Sequence, residues 1–283
     1  MENWDDYRLL LAVQQSNSIR AAGERLGVNH STVSRRMQSI NQSHPFKVFE
    51  TTASGIEITK YGAVLLQTAH KMQDLMADQA RTLASQDFSQ GGAVSLSLPP
   101  AILQFLLLDD LALFQQQHPD IRLTVFTSYD FANLDSGEAD VVIRVSNDPG
   151  DELVGHRVFP IQVGYFASRE YLANTPPEQR VWITGANSDW VNSTPFAELP
   201  VRYQVEDLVT RHTMAAKGLG MIRGACYIAE QYPELVPVTD EFTPFQDLWV
   251  LTHPKLRDIT RIKTVMQFLV EVIRKKLSKS TSR

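Results

Sequence analysis

The chain has 283 residues, 43% of them hydrophobic and 21% charged, enough for the cores of two or three domains. Its single cysteine, Cys226, excludes an internal disulfide framework, a paired-cysteine redox centre and a thiolate-built metal site, and fits a reducing compartment. The net charge of -5 argues against nucleic acid as a partner only until it is divided: residues 1–60 hold seven basic and six acidic side chains, residues 91–283 eighteen and twenty-three.

The amino terminus sets Glu2, Asp5 and Asp6 ahead of a short apolar run, unlike the basic start of a signal peptide, so a cytoplasmic location is expected. The richest apolar stretch, 94–114, carries two prolines, two aspartates and a glutamine, which excludes a membrane-spanning helix there. Asn3 with Asp6 three residues on predicts a capped first helix of about a dozen residues. A second helix is expected from Asn17 or Ser18 to Gly27, where glycine closes it in the left-handed conformation. After a three-residue turn, Asn29 caps a third helix whose Val33, Met37 and Ile40 share a buried face. That leaves His30, Ser31, Ser34, Arg35 and Gln38 pointing outward. A short helix after a tight glycine turn fits a major groove, where Arg35 spans the O6 and N7 acceptors of a guanine. A small helical bundle with a solvated arginine pair is the alternative on spacing alone.

These residues, NSIRAAGERLGVNHSTVSRRMQSIN, resemble the winged helix-turn-helix of LysR-type transcriptional regulators, with paired alanines, LGV in the turn and TVSRRM in the recognition helix. The similarity runs on through FKVFETTASGIEITKYGAVLL, the family's wing and the start of its linker helix. It implies a DNA-binding set of Ser18, His30, Ser31, Thr32, Ser34, Arg35, Arg36 and Gln38, with Ser18 and Arg36 on the backbone. The wing departs from the family: Val48, Phe49, Glu50 and Thr51 replace leucine-phenylalanine and an arginine, Ala53 and Ser54 replace a basic tip, and NQSHPF forms the preceding loop. A shallow salt dependence follows, since each lost phosphate contact removes nearly one released counterion.

Residues 60–84 read as one helix with Leu65, Ala69, Met72, Met76 and Leu83 on a seam that a partner helix would bury. The resemblance likewise implies a homodimer through this helix, a tetramer beyond it, and RNA polymerase as a further partner. SQDFSQGG, residues 85–92, reads as a hinge.

Downstream, strands are predicted at 94–98, 121–127, 141–145, 162–167 and 248–251, with helices at 102–117, 205–217 and 259–276. FQQQHPDIRLTV, LDSGEADVVIR, GYFASREYLA and GLGMIRGACYIAE resemble the effector-binding part of the same family, which is similar to a type 2 periplasmic binding protein. The expected class is thus α+β multidomain. It comprises a winged helix-turn-helix (1–60), a linker helix and hinge (61–90) and a two-lobed α/β domain (91–283), with lobe I at about 91–160 and 253–283 and lobe II at about 161–252. In that fold a ligand lies between lobes, at strand ends and helix amino termini. The effector candidates are Pro100, Ala101, Ile102, Thr127, Ser128, Tyr129 and Ser146, with Asn192, Ser193, Thr194 and Arg202 from the second lobe. Serine and threonine at such positions also serve as plain caps. The two prolines near the first helix make the cleft less polar and count against a small carboxylate ligand.

Catalysis and cofactors are not expected. The seven histidines form no metal-binding pair, no nucleophile elbow is present, and Gly218, Gly220 and Gly224 lack dinucleotide spacing. Cys226 reads as a buried, inert thiol, and the cluster Arg274, Lys275, Lys276, Lys279 and Arg283 as a solvated helix end. A solute-binding protein remains the rival, against which residues 1–84 count.

Overall fold

A computed structural model describes residues 3–16, 18–52, 55–84, 91–129 and 139–280. Contacts divide the chain into two compact units, one of described residues up to Arg81 and one of those from Thr82 on.

The first unit contains α1 (Trp4–Ser16), α2 (Ile19–Leu26), α3 (His30–Ser43), β1 (Phe49–Thr52), β2 (Gly55–Ile58) and all but the last three residues of α4 (Lys60–Ala84). Ser18 caps α2, its hydroxyl accepting the Ala21 N–H at 3.2 Å, and Gly27 closes that helix at φ 67°. Gly23 lets the turn close: a Cβ there would lie 2.8 Å from the Val28 carbonyl oxygen. Val33, Met37 and Ile40 are buried with Leu9, Leu10, Val13, Ala22, Val48 and Phe49 in one core. The segment NQSHPF is not all loop, because α3 continues through Ser43. Its Asn41 holds the β1–β2 hairpin: the side-chain oxygen accepts from the Val48 and Phe49 N–H groups at 2.8 and 3.0 Å, and its nitrogen donates to the Phe49 carbonyl at 2.9 Å. These bonds satisfy backbone groups at the start of a two-stranded edge that has no other sheet to join. Ala53 and Ser54 lie outside the described residues.

The seam expected along α4 is free only in its second half. Tyr61, Leu65 and Leu66 pack on the first unit's core and Ala69 is fully buried, whereas Val64, Leu75, Met76 and Leu83 are the exposed apolar side chains. Of the expected hinge, only Gly91 and Gly92 are described.

The second unit contains β3 (Gly92–Leu98), α5 (Pro100–Ile102), a π turn (Leu103–Leu107), α6 (Leu108–Gln117), β4 (Ile121–Thr127), β5 (Val141–Ser146), β6 (Val154–Ser168) and α7 (Arg169–Asn174). It continues with β7 (Trp182–Thr184), β8 (Val201–Gln204), α8 (Leu208–Ala216), β9 (Ile222–Ala225), α9 (Cys226–Ala229), β10 (Leu235–Pro237), β11 (Thr243–Thr252) and α10 (Thr260–Ser280). The main sheet runs β10-β6-β11-β5-β3-β4 with β9 also on β6, and β7 pairs with β8 in parallel. β3 lies parallel to β4 and β5; β6 and β11 are long antiparallel strands. At one end β11 joins β5, and at the other β6 carries β9 and β10, so the two strands connect two halves of the unit. The β6–β11 register slips between Pro244 and Asp247 and again at Leu248, as expected where proline cannot donate to a ladder.

On α10, Ile262, Val265, Met266, Leu269, Ile273 and Leu277 recur at three- and four-residue spacing and are buried against β6, β11 and β3. Lys276, expected to be solvated, forms an ion pair with Asp110 at 2.6 Å; Arg283 lies outside the described residues. Cys226 is buried, and burial followed by the nearby Glu230 pushes its thiol up to about 11.

Candidate functional sites

On α3 the Asn29 side chain accepts the Ser31 N–H at 3.2 Å, capping the amino end. His30, Ser31, Arg35 and Gln38 are exposed on the face opposite Val33, Met37 and Ile40, and Thr32 and Ser34 are half-buried beside them. The adjacent arginines differ. Arg35 makes no ion pair among the described residues, while Arg36 reaches back to α1, 3.4 Å from Asp6 and 3.8 Å from Asp5. That pairing aligns α3 on α1 and leaves Arg36 less charge to offer a phosphate.

The second unit encloses a cavity of about 640 Å³ where β6 and β11 change partners. One wall comes from the β3–α5 junction and the ends of β4 and β5: Ser97, Leu98, Pro99, Ala101, Ile102, Ser128, Tyr129, Ile143 and Arg144. The other comes from Ile161 and Val163 on β6, Thr184 and Gly185 after β7, Trp190, Arg211, Arg223, Tyr227 and the bulged Phe245 and Gln246. Tyr129 spans the walls: its hydroxyl donates to Asp207 at 3.4 Å. Burial, then Asp207, push the Tyr129 phenol up to about 12, so it remains a donor. Asp207 caps α8, accepting the Thr210 N–H at 2.7 Å, and the hydrogen bond from the Thr210 hydroxyl is the main cause that holds its carboxyl below the usual range, against the opposing effect of burial. Among the described residues no group of three His, Cys, Asp or Glu side chains is placed to hold a metal ion, and no helix is long and apolar enough to cross a membrane.

Two family profiles divide the chain as these sites do. The bacterial regulatory helix-turn-helix of the lysR family matches residues 4–63, and the LysR substrate binding domain matches residues 89–274. The chain belongs to the LysR family. Among its relatives, the HTH-type transcriptional regulator CrgA of Neisseria meningitidis serogroup B is 27% identical over 172 residues, 60% of this chain and 57% of that protein. The chain thus spans little more than half the length of that relative. The probable HTH-type transcriptional regulator LtrA of Klebsiella pneumoniae is 20% identical over 95% of this chain and 94% of its own. In fold, the chain is similar to the full-length Vibrio cholerae virulence activator AphB (TM-score 0.65, 17% identity, 95% and 99% of the two chains). It is also similar to CrgA of Neisseria meningitidis (TM-score 0.57, 19% identity, 96% and 99%).

Within this LysR-family fold the effector candidates separate. Ala101, Ile102, Ser128 and Tyr129 line the cavity; Pro100, Thr127, Ser146, Asn192, Ser193, Thr194 and Arg202 do not. Their bonds give the reason. Ser146 closes a turn on Asp148, Ser193 donates to the Trp190 carbonyl at 2.8 Å, Thr194 donates to that of Val191 at 2.8 Å, and Thr127, Asn192 and Arg202 are exposed. Ser18 likewise has its hydroxyl oxygen engaged in capping α2. Arg144, Thr184, Trp190, Arg211, Arg223, Tyr227 and Phe245 also line the cavity and are not among the residues that the sequence pattern singles out. Among these, an arginine inside the apolar run of IRGA was the available signal, since apolar strands rarely hold an unneeded charge.

Proposed function

We propose that this chain is a sequence-specific DNA-binding transcriptional regulator controlled by a small-molecule effector. The observation that carries it is the α3 face, where His30, Ser31, Arg35 and Gln38 stand exposed directly after a turn that Gly23 and Gly27 tighten. Ser34 and Thr32 extend that surface, and Ser18 and Arg36 lie toward the DNA backbone. The exposed Val64, Leu75, Met76 and Leu83 on a 25-residue helix favour a homodimer through residues 60–84, with a tetramer and RNA polymerase as further partners in the cytoplasm. We place the divisions at 1–60, 61–90 and 91–283.

The effector's site is the cavity of the second unit, where Ala101, Ile102, Ser128 and Tyr129 face the second-lobe wall. Because Tyr129 of one wall bonds to Asp207, the cap of the helix that carries Leu208 and Arg211 on the other, a ligand between the walls changes the spacing of the two halves. It shifts the equilibrium only by as much as it prefers one spacing. The test is protection of genomic fragments by the purified protein. The expected result is two protected half-sites a whole number of helical turns apart. Protection spread evenly over all fragments overturns the proposal.

A further inference from the structure

Three arginines line the cavity, and they differ in what holds them. Arg144 donates from Nη1 to the Pro149 carbonyl at 2.8 Å, and Arg211 from Nη1 to the carbonyls of Val205 and Glu206 at 2.6 and 2.8 Å. Arg223 has no protein hydrogen-bond acceptor and no ion pair among the described residues; its guanidinium carbon lies 5.6 Å from the Trp190 ring centroid and 5.3 Å from that of Phe245. Aromatic faces hold a guanidinium by its planes and leave its N–H edges free for a planar acceptor.

A second group points the same way. Trp182 and Met221 form a parallel bridge, and Thr184 and Arg223, each two residues further along its own strand, both line the cavity. Thr184 is 1% exposed, lines the cavity, and its hydroxyl oxygen has no hydrogen-bond partner. Buried hydroxyls without a protein partner call for one from elsewhere. The opposite wall supplies no acid: Leu98, Pro99, Ala101 and Ile102 are apolar, Arg144 there is tied to the Pro149 carbonyl, and Ile161 and Val163 add apolar surface on β6. Asp189 is the one acid in the lining; it is exposed and forms no ion pair with Arg223, so it disfavours a multiply charged anion while leaving Arg223 unneutralised.

We propose that the cavity takes a small organic monocarboxylate with an aromatic or branched aliphatic body. Its carboxylate pairs with the edge of Arg223 and accepts a hydrogen bond from the Thr184 hydroxyl, and its body lies against Ile102, Ile161 and Val163. This rests on the cavity being the effector site and names the chemistry that site selects. The prolines count against a carboxylate only where they stand: Pro99 lines the side that receives the ligand's apolar body, and Pro100 does not line the cavity.

The test is calorimetric titration of the full-length protein with benzoate, 3-methylbutanoate, benzyl alcohol and benzylamine. At least one carboxylate binds about tenfold or more tightly than benzyl alcohol, and benzylamine binds most weakly. Arg223→Gln loses about tenfold of the carboxylate affinity and leaves benzyl alcohol unchanged, Arg223→Lys loses less, and Thr184→Val loses a few-fold. Should Arg223→Gln fail to fold, Thr184→Val and Arg223→Lys carry the comparison. Equal or better binding of benzyl alcohol overturns the monocarboxylate while leaving the cavity as an effector site. Unchanged carboxylate affinity in the Arg223 and Thr184 variants overturns it too. DNA protection is measured separately, so failure of the regulator proposal is seen on its own.

Discussion

The α3 face and the cavity are built in opposite ways. The α3 face takes all its groups from about two and a half turns of helix, His30 to Gln38, and presents them to water. The cavity collects its groups from Ser97 to Gln246 and surrounds them with apolar side chains. Arginine means different things in the two places. Arg35 stands in high dielectric, where a single charge attracts phosphate weakly and salt screens it, so its worth lies in bidentate geometry at a base. Arg223 lies between aromatic rings in an enclosed site, where the same charge acts more strongly on a partner that reaches it. Each region also has an arginine tied into the protein, Arg36 by Asp5 and Asp6 and Arg211 by two carbonyls.

The largest expected effect lies in the cavity's support. Trp182 is fully buried, its indole N–H donates to the Phe196 carbonyl at 3.2 Å, and Trp190 packs edge-on against it. Trp182→Ala should cost about 3–5 kcal/mol of stability in the second unit while DNA contact by the first survives. Chemical denaturation followed by calorimetry checks this; loss of both units together would erase the independence of the two regions. Next, Arg35→Ala should remove about 1–3 kcal/mol of discrimination between the preferred site and a mismatched one, whereas Arg36→Ala should cost at most about 1 kcal/mol, in stability. Competition gel shifts and melting curves separate the pair. Equal losses of discrimination would mean that exposure does not distinguish the adjacent arginines.

The smallest effect concerns the bond between the walls. Asp207→Ala removes the α8 cap and the Tyr129 acceptor and should cost about 1 kcal/mol at neutral pH. The Asp207 carboxyl is held below its ordinary 3.8, so its contribution is complete above that value and is lost as pH falls through the lower folded value. The stability gap between wild type and variant should therefore close in acid below about pH 4. A gap that persists there, measured by denaturant titration, would assign the effect to packing.

Much of the secondary structure was legible because local rules carried it. Ser18, Gly27 and Asn29 mark helix ends by chemistry that acts within four residues, and α10 declares its buried stripe by period. The long strands were legible only in part. Pro160 and Pro244 break the apolar alternation of β6 and β11, so only 162–167 and 248–251 stood out. Helix α4 was found, and Met76 and Leu83 of its expected seam stand exposed, but Leu65 and Ala69 do not: Leu65 is covered by a core whose members lie far away in sequence.

The sequence by itself determined the helix-turn-helix, the outward residues of α3 and the alternation of strands and helices, since each depends on contacts between near neighbours along the chain. Only the tertiary structure decided which polar groups stay free. Ser146, Ser193 and Thr194 spend their hydroxyls on adjacent backbone, Arg36 is neutralised by a helix some thirty residues away, and Arg223 is left uncompensated by the meeting of Trp190 and Phe245. Whether a side chain can meet a ligand depends on what else has already met it, and that is a property of the folded chain.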